Sequence, residues 1–373
     1  MQVVRILAAI VGGVLVVTTA VSAARTLVVA RARSGGLLGM VDRVVDRAFQ
    51  LVVQRRKYLV RDRILAGQPV ALIAALLFCW ILAFFVGYTL LLWPVSPEGI
   101  SEAALEAASS MFTLGFTAPE TTADTVLNVF AAASGLAILA LQISYLPTLY
   151  SAFSRRENQV ALLAARAGAP AWGPELLART RYGISLPEDD LMTLYKEWEG
   201  WAADIAESHT NYPMLIRFRS PRPLQSWLIA LLAVMDSAAL LLALCPSRDR
   251  IEPRFCLRMG FSALREIATT VGIPVDDDPD PDGQIQLSYQ DYLAGVTKLV
   301  DVGFPVERGA EEAWPHFRGW RVNYESTVYA LAAATDAVPA LWSGPRRSPA
   351  EQIPPVRPKA RRPTEYKPGQ ERA

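Results

Sequence analysis

Long uncharged runs of apolar residues alternate with charged stretches over the first half of the chain. Residues 6–24 form one such run between Arg5 and Arg25, residues 70–93 form a second, and residues 125–154 form a third. A helix needs about 20 predominantly apolar residues to cross a bilayer. The pattern therefore predicts three membrane-spanning helices.

The first run has a second interpretation, as a cleaved signal peptide. The small residues Val21, Ser22 and Ala23 near its end are typical of a cleavage site. That interpretation requires export of the basic stretch that follows, whereas positive charge holds a loop in the cytoplasm. We therefore expect an uncleaved helix with the N-terminus outside.

Basic residues dominate the stretch between the first two runs. Residues 25–63 hold ten lysines and arginines against Asp42, Asp46 and Asp62. Over residues 40–56 the apolar positions recur at helical spacing, with charged and amide side chains opposite. Such a helix lies in the membrane interface near anionic headgroups or packs on the cytoplasmic domain, and amphipathicity leaves both alternatives open.

The charges that flank the three runs agree on one topology. Residues 94–124 carry acidic residues and no basic one, whereas Arg155 and Arg156 close the third run. The bias of positive charge predicts a multi-pass plasma-membrane protein with the large C-terminal part in the cytoplasm. Three aromatic residues are candidates for the belts at the membrane interfaces: Trp80, Tyr88 and Trp93.

Residues 101–117, SEAALEAASSMFTLGFT, separate the second and third runs. A segment of this length is too short to cross a bilayer, but it can enter one and turn back where protein or water surrounds it. Ser101 is a candidate N-cap, and Glu102 follows near the positive end of the helix dipole. We expect a short helix that ends at Phe112.

Two apolar runs that flank a short re-entrant helix and a Thr-x-Gly-aromatic sequence resemble the pore module of the potassium-channel superfamily. The resemblance covers roughly residues 70–156, and Thr113, Leu114, Gly115 and Phe116 match the first four positions of the filter pattern Thr-Val-Gly-Tyr-Gly. It implies a homotetramer in which backbone carbonyls replace the water shell of a cation, expected to be K⁺, with no cofactor. Gly115 supplies a backbone conformation that other residues resist.

The resemblance also concerns the third run and the end of the filter. Gly135 stands where family members carry a hinge glycine, and Pro147 is a second position at which the helix can bend. The fifth filter position is Thr117 rather than glycine, and Ala118 replaces the acidic residue that usually follows. This departure affects the outermost ion site and leaves the ion selectivity open.

Beyond Arg156 the charges are spread through amphipathic helical patterns without sustained period-2 alternation, which predicts a mostly α fold. Helices are expected at about residues 185–207, with Ser185 and Glu188 in capping-box spacing, and at about 225–245, 252–271, 288–301 and 309–336. Residues 227–245 form an uncharged run broken only by Asp236. Because a charge inside a membrane is costly, we expect a buried core helix with Asp236 paired or at the helix surface, rather than a fourth span.

The predicted organisation has five parts. A mixture of 52% hydrophobic and 20% charged residues is typical of a membrane part joined to a soluble part. The parts are an N-terminal transmembrane helix at 1–30, a basic amphipathic cytoplasmic linker helix at 31–68, the pore module at 69–156, a helical cytoplasmic domain at 157–342 and a disordered, proline- and arginine-rich tail at 343–373.

Candidate chemistry outside the pore module is sparse. Cys79, Cys245 and Cys256 fit neither a disulfide framework nor a metal-site spacing, and the chain has only two histidines. The loop from Asp278 through Asp280 and Asp282 matches the start of a calcium loop, but Tyr289 stands where the final glutamate belongs. Ser288 and Asp291 have the spacing of a helix cap.

These observations predict a cation channel and no enzyme. A runner-up is a non-conducting membrane-anchored regulatory or scaffolding protein that keeps the pore-loop fold, and a third possibility is a sensor whose helical domain binds a small ligand. The expected partners are further copies of the chain and membrane lipids, with no nucleic acid and no identified cytoplasmic ligand.

Overall fold

The computed structural model describes residues 2–27, 36–97, 99–119, 121–180, 188–248 and 250–356. These residues are mostly helical, as predicted, and β pairing among them is limited to the isolated bridges of Ala169 with Val356 and of Ala340 with Ile353. The α-helices of the described residues are α1 (Gln2–Leu27), α2 (Gly36–Val53), α3 (Tyr58–Leu65), α4 (Gln68–Leu92), α5 (Ile100–Met111), α6 (Thr122–Ala167), α7 (Gly173–Arg179), α8 (Glu188–Asn211), α9 (Trp227–Leu244), α10 (Ile251–Thr270), α11 (Tyr289–Asp301), α12 (Ala310–Arg321) and α13 (Glu325–Thr335).

Four helices of the described residues are long and apolar enough to cross a membrane. They are α1, α4 together with the preceding α3, α6, and α9. The first three contain the three uncharged runs of the sequence, so the helices predicted there are confirmed. Their length and apolar composition indicate a membrane protein.

The chain forms two compact units. The first comprises Met1–Glu157, Gly200–Pro223 and Met259–Asp278, and the second comprises Asn158–Glu199, Leu224–Arg258 and Pro279–Ala373. Each unit combines segments that are distant in sequence. The bounds predicted for the five parts of the chain stay predictions, because they follow composition along the sequence and not these groupings.

Within the first unit, α1 and α4 approach each other closely through glycines. A Cβ atom placed on Gly12 would lie 2.5 Å from the carbonyl oxygen of Gly87. Small residues allow helix backbones to come this close, which is a common device in helix pairs that cross membranes. The indole nitrogen of Trp80 donates a hydrogen bond to the Ser22 hydroxyl at 3.3 Å and joins the same two helices.

The prediction of an interfacial aromatic belt is wrong for two of its three residues. Trp80 is fully buried, and Tyr88 is 3% exposed. Tyr88 donates a hydrogen bond to the carbonyl oxygen of Phe130 at 3.1 Å and lies 2.8 Å from the Ser134 hydroxyl. Both rings pack inside the protein because each polar group has a partner on a neighbouring helix.

Helix α9 forms the core of the second unit. Nearly every residue of it is buried, and it packs against α7, α12 and α13. The carboxylate of Asp236 accepts hydrogen bonds from Arg321 at 2.5 Å and from the Tyr324 hydroxyl at 2.8 Å. The predicted buried core helix and the pairing of its single charge are therefore confirmed.

The helix starts predicted for the second unit have mixed outcomes. The Ser288 hydroxyl accepts a hydrogen bond from the Asp291 main-chain N–H at 3.1 Å, so this cap is confirmed. Ser185 lies outside the described residues, and α8 begins at Glu188. The single helix predicted at 309–336 is two helices, α12 and α13.

The prediction of a disordered tail from residue 343 is wrong for residues 343–356. The Arg346 guanidinium donates hydrogen bonds to the main-chain carbonyls of Ala337 and Val338, both at 2.6 Å. The Ile353 N–H donates to the Pro339 carbonyl at 2.7 Å, and Val356 pairs with Ala169. Backbone hydrogen bonds order this proline-rich segment, and residues 357–373 lie outside the described residues.

Candidate functional site

Helix α5 is short and lies between two helices of membrane-spanning length. Its 12 residues correspond to about 18 Å, which is well under the ~30 Å hydrocarbon core of a bilayer. The buried residues Ala103, Ala107 and Met111 pack in one apolar cluster with Phe84 and Leu92 of α4. Packing of these apolar side chains therefore fixes the position of α5 against α4.

The N-terminal end of α5 differs from the prediction. The helix begins at Ile100, and its N-cap is Gly99 with φ of 102° and no side-chain cap. Ser101 therefore lies inside the first turn and is not the cap, because Gly99, whose positive φ is open to glycine, caps the helix two residues earlier than expected. Glu102 stands in the first turn, as predicted.

The C-terminal end of α5 has the hydrogen bonds of a Schellman motif. The Thr113 N–H donates to the Ser110 carbonyl at 3.1 Å, and the Leu114 N–H donates to the Ser109 carbonyl at 2.8 Å. Thr113 takes the left-handed conformation of such a cap, with φ of 53°. Glycine is the usual residue here, and a β-branched side chain is strained in this conformation.

The loop after α5 is tied back onto the helix by Ser109. The hydroxyl oxygen of this residue accepts hydrogen bonds from the main-chain N–H groups of Phe116 at 3.1 Å and of Thr117 at 3.4 Å. Between these points Gly115 has φ of 70°. Thr113 and Gly115, two residues apart, thus share the left-handed conformation, and Ser109 restrains the loop on both sides of Gly115.

Side chains of this loop are open on the surface of the single chain. Phe112 is 48% exposed, Leu114 is 60% exposed and Phe116 is 56% exposed. The hydroxyl oxygen of Thr117 is buried without a hydrogen-bond partner among the described residues. Three exposed large apolar side chains at alternate positions of one short loop are typical of a surface that contacts another molecule.

A partly buried polar chain joins α5 to α6. The Asn128 side-chain amide donates to the Glu106 carboxylate at 2.5 Å, and the Ser110 hydroxyl donates to the amide oxygen of Asn128 at 2.5 Å. Glu106 is 9% exposed. Asn128 was not identified from the sequence. The available signal was a single amide in the uncharged run 125–154, together with two polar residues four apart on the helix before it, Glu106 and Ser110.

Gly135 has a packing role that the sequence did not reveal. A Cβ atom at this position of α6 would overlap the carbonyl oxygen of Met111, the last residue of α5. Helix α6 runs without interruption through Gly135 and Pro147 over its 46 residues. The close approach of the two backbones requires glycine here, and the hinge roles of Gly135 and Pro147 stay predictions.

Residues 209–219, outside the loop, make polar contacts with other helices of the first unit. The buried Arg156 side chain of α6 donates to the main-chain carbonyls of Leu215 at 2.9 Å and of Phe218 at 2.7 Å. Arg217 forms ion pairs with Asp42 and Asp46 of α2. The same short segment therefore contacts α6 at Arg156 and contacts the amphipathic helix α2.

The calcium loop considered from the sequence is not assembled as a metal site. No group of three histidine, cysteine or acidic side chains is placed to hold a metal ion anywhere in the described ranges. The Asp280 carboxylate accepts a hydrogen bond from the Asp282 N–H at 3.0 Å. Asp282 lies 3.6 Å from Arg318, and Asp276 accepts from the Asp278 N–H at 3.2 Å.

Comparison of the chain with protein-family models, with curated proteins and with solved structures found no match.

Proposed function

We propose that the protein is a potassium-channel-like cation channel in which the 113–117 loops of four copies line the ion path. In this arrangement the main-chain carbonyl oxygens of Thr113, Leu114 and Gly115 replace the hydration shell of a cation. The observation that carries the proposal is the left-handed conformation of both Thr113 and Gly115. Alternation of this kind is what aims successive carbonyls at one axis.

The electrostatics of α5 support a cation as the occupant. The loop follows the C-terminal end of the helix, where the macrodipole is negative. Glu102 lies in the first turn of α5, where negative charge stabilises the positive end of the helix. The short helix therefore favours positive charge beside residues 113–115.

The exposed side chains of the loop support assembly. Contact between neighbouring copies would cover Phe112, Leu114 and Phe116, which are about half exposed in the single chain. The partnerless hydroxyl oxygen of Thr117 would then have a neighbour available for a hydrogen bond. A tetramer follows from the resemblance, and the mass of the cross-linked protein in detergent tests it.

The proposed orientation puts the N-terminus outside and the second unit in the cytoplasm of a plasma-membrane protein. The basic residues between positions 25 and 63 support it, and so do Arg155 and Arg156, which close the third uncharged run. Protease accessibility in sealed inside-out vesicles tests it, since cleavage of the second unit is expected only in these vesicles and not in right-side-out ones.

The test of conduction is potassium flux into liposomes that contain the purified protein. We expect flux with the wild type and none with Gly115→Asp, because the new side chain is strained at positive φ and adds a charge to the loop. Gly200→Asp is the matched control, since a Cβ at this helical glycine meets nothing within 4 Å. Equal flux from both variants would refute the proposal.

A second candidate is a non-conducting membrane-anchored scaffold that keeps the same loop. The Schellman hydrogen bonds of Thr113 and Leu114 favour it, because a helix cap alone accounts for the left-handed Thr113. In the same assay this candidate predicts no wild-type flux at any voltage, pH or calcium concentration. Thermal unfolding would still report destabilisation by Gly115→Asp.

A further inference from the structure

We propose that α2, the connection after it and α3 form a headgroup-contacting surface that lies on anionic membrane lipids. The surface is defined by its exposed apolar and basic residues between positions 40 and 63. Its apolar members are Met40, Val44, Leu51, Val52, Leu59 and Val60. Its basic members are Arg43, Arg47, Arg55, Arg56, Lys57 and Arg63.

The apolar part of this surface follows one side of α2. Met40, Val44 and Leu51 recur at four- and seven-residue spacing, which places them on one helix face. Val44 is 58% exposed and Leu51 is 74% exposed. The exposed stripe is thus the opposite of what an ordinary surface helix shows, where the apolar side chains turn inward.

Charges on α2 and α3 are sorted by side. Arg217 donates to Asp42 and Asp46, with N to O distances of 3.0 Å and 2.9 Å, and Arg219 donates to Asp62 at 2.6 Å. These are all the acidic residues of residues 36–67. Because the carboxylates face Arg217 and Arg219, the opposite side presents positive charge only.

A surface that combines apolar side chains with unopposed positive charge fits one kind of occupant. Lipid acyl chains accept the apolar stripe, and phosphate groups of anionic lipids accept the arginines beside it. Continuity with the membrane supports this choice, since α2 packs against α1 and α4, two helices of membrane-spanning length. The sequence left open whether this helix contacts lipid or protein. In this proposal it does both: the face with Asp42 and Asp46 contacts Arg217, and the exposed apolar and basic face contacts lipid.

Depth in the bilayer can be measured with spin labels on the full chain in phospholipid nanodiscs. Cys79→Ala removes the partly buried cysteine. This variant without an added cysteine still contains the buried Cys245 and Cys256, and it serves as the blank that measures any labelling of these two thiols. A label at Val44→Cys is expected to collide with oxygen more than with a water-soluble nickel chelate. A label at Thr193→Cys, an exposed position on α8, is the water-exposed control.

The charge preference needs a second measurement. In nanodiscs of mixed phosphatidylcholine and phosphatidylglycerol, energy transfer from protein tryptophans to pyrene-labelled lipid reports which lipid gathers near the protein. Arg43→Gln/Arg47→Gln is expected to lower the preference for phosphatidylglycerol at least twofold. Arg254→Gln/Arg258→Gln, an exposed arginine pair with the same spacing on α10, is expected to leave it unchanged.

Three results would overturn the proposal. The first is equal nickel accessibility at Val44→Cys and Thr193→Cys, and the second is an equal lipid preference of the two arginine variants. The third is dipolar broadening between labels at Val44→Cys on different copies, which would make this face a contact between chains. None of these measurements depends on ion flux, so the lipid surface and the channel fail separately.

Discussion

The hydroxyl oxygen of Ser109 lies 3.1 Å from the main-chain nitrogen of Phe116, across the loop that contains Thr113 and Gly115. One side chain inside the last turn of α5 thus holds the far end of the loop against the helix. The backbone conformation of the loop and the position of α5 are therefore coupled through a single acceptor.

Ser109→Ala is expected to loosen the loop and lower potassium flux. The substitution removes the acceptor of the Phe116 and Thr117 N–H groups, each hydrogen bond contributing about 0.5–1.5 kcal/mol. Hydrogen exchange of these two amides should accelerate. Ser144→Ala is the control, because that hydroxyl bonds the Ala140 carbonyl in its own helix, and identical behaviour of the two variants would contradict the role of Ser109.

Gly135→Ala is expected to destabilise the protein by about 1–3 kcal/mol, because the added methyl group overlaps the Met111 carbonyl and forces α5 and α6 apart. Gly200→Ala, at an open helical position, should be neutral or stabilise by up to about 1 kcal/mol. Thermal unfolding in detergent compares them. Equal stability would leave a hinge, and not packing, as the reason for Gly135.

Arg321→Met is expected to cost about 3–5 kcal/mol of stability, because it leaves the Asp236 carboxylate buried without its ion-pair partner. Arg318→Met should cost less than about 1 kcal/mol, since Asp282 in that pair is 90% exposed. Urea unfolding followed by tryptophan fluorescence measures both. Similar midpoints would argue against a core organised around Asp236.

His209 predicts how stability changes with pH. Arginine only donates hydrogen bonds, so the Arg156 contact at 3.0 Å requires an unprotonated Nε2, while Nδ1–H donates to the Ile205 carbonyl at 2.9 Å. Burial, and then the charge of Arg156, lowers the pKa of His209 well below its ordinary value of 6.5.

Protonation of the His209 imidazole therefore favours the unfolded state, and stability should fall as pH drops below about 6.5. The unfolding free energy measured between pH 7.5 and 5 should decrease less steeply in His209→Gln than in the wild type. His316→Gln, at the exposed second histidine, is the matched control. If the unfolding free energy of His209→Gln fell with pH as steeply as that of His316→Gln, or more steeply, His209 would not be the cause of the pH dependence.

Local hydrophobic pattern and charge rules were enough for the helices and for two of their polar details. The uncharged runs predicted α1, α4 and α6, and the cost of a buried charge predicted that Asp236 is paired. The spacing of Ser288 and Asp291 predicted the cap of α11. Each of these features depends on residues near in sequence or on one strong energetic penalty.

Features that depend on contacts distant in sequence were missed. Trp80 and Tyr88 have the composition of interfacial residues, and only the positions of Ser22 and Phe130 explain why they are buried. Arg346 fixes residues near the start of the predicted tail through hydrogen bonds to main-chain carbonyls, which every residue carries, so no side-chain pattern marks its partners.

The loop itself was only partly predictable. The Thr-x-Gly-aromatic sequence pointed to residues 113–116, but it contained no sign that Ser109 holds them. The cap of α5 is Gly99 rather than Ser101, because a residue with φ of 102°, which is open to glycine, begins the helix without any side-chain hydrogen bond. Rules that look for a side-chain oxygen at the N-cap cannot predict a glycine cap of this kind.

The most direct test of the central claim is electrical recording of purified wild-type protein in a planar bilayer with unequal KCl on the two sides. A path lined by the carbonyls of Thr113, Leu114 and Gly115 predicts a current that reverses near the potassium equilibrium potential and disappears with Gly115→Asp. A current that reverses near the chloride potential, or no current from protein that remains folded, would contradict the account.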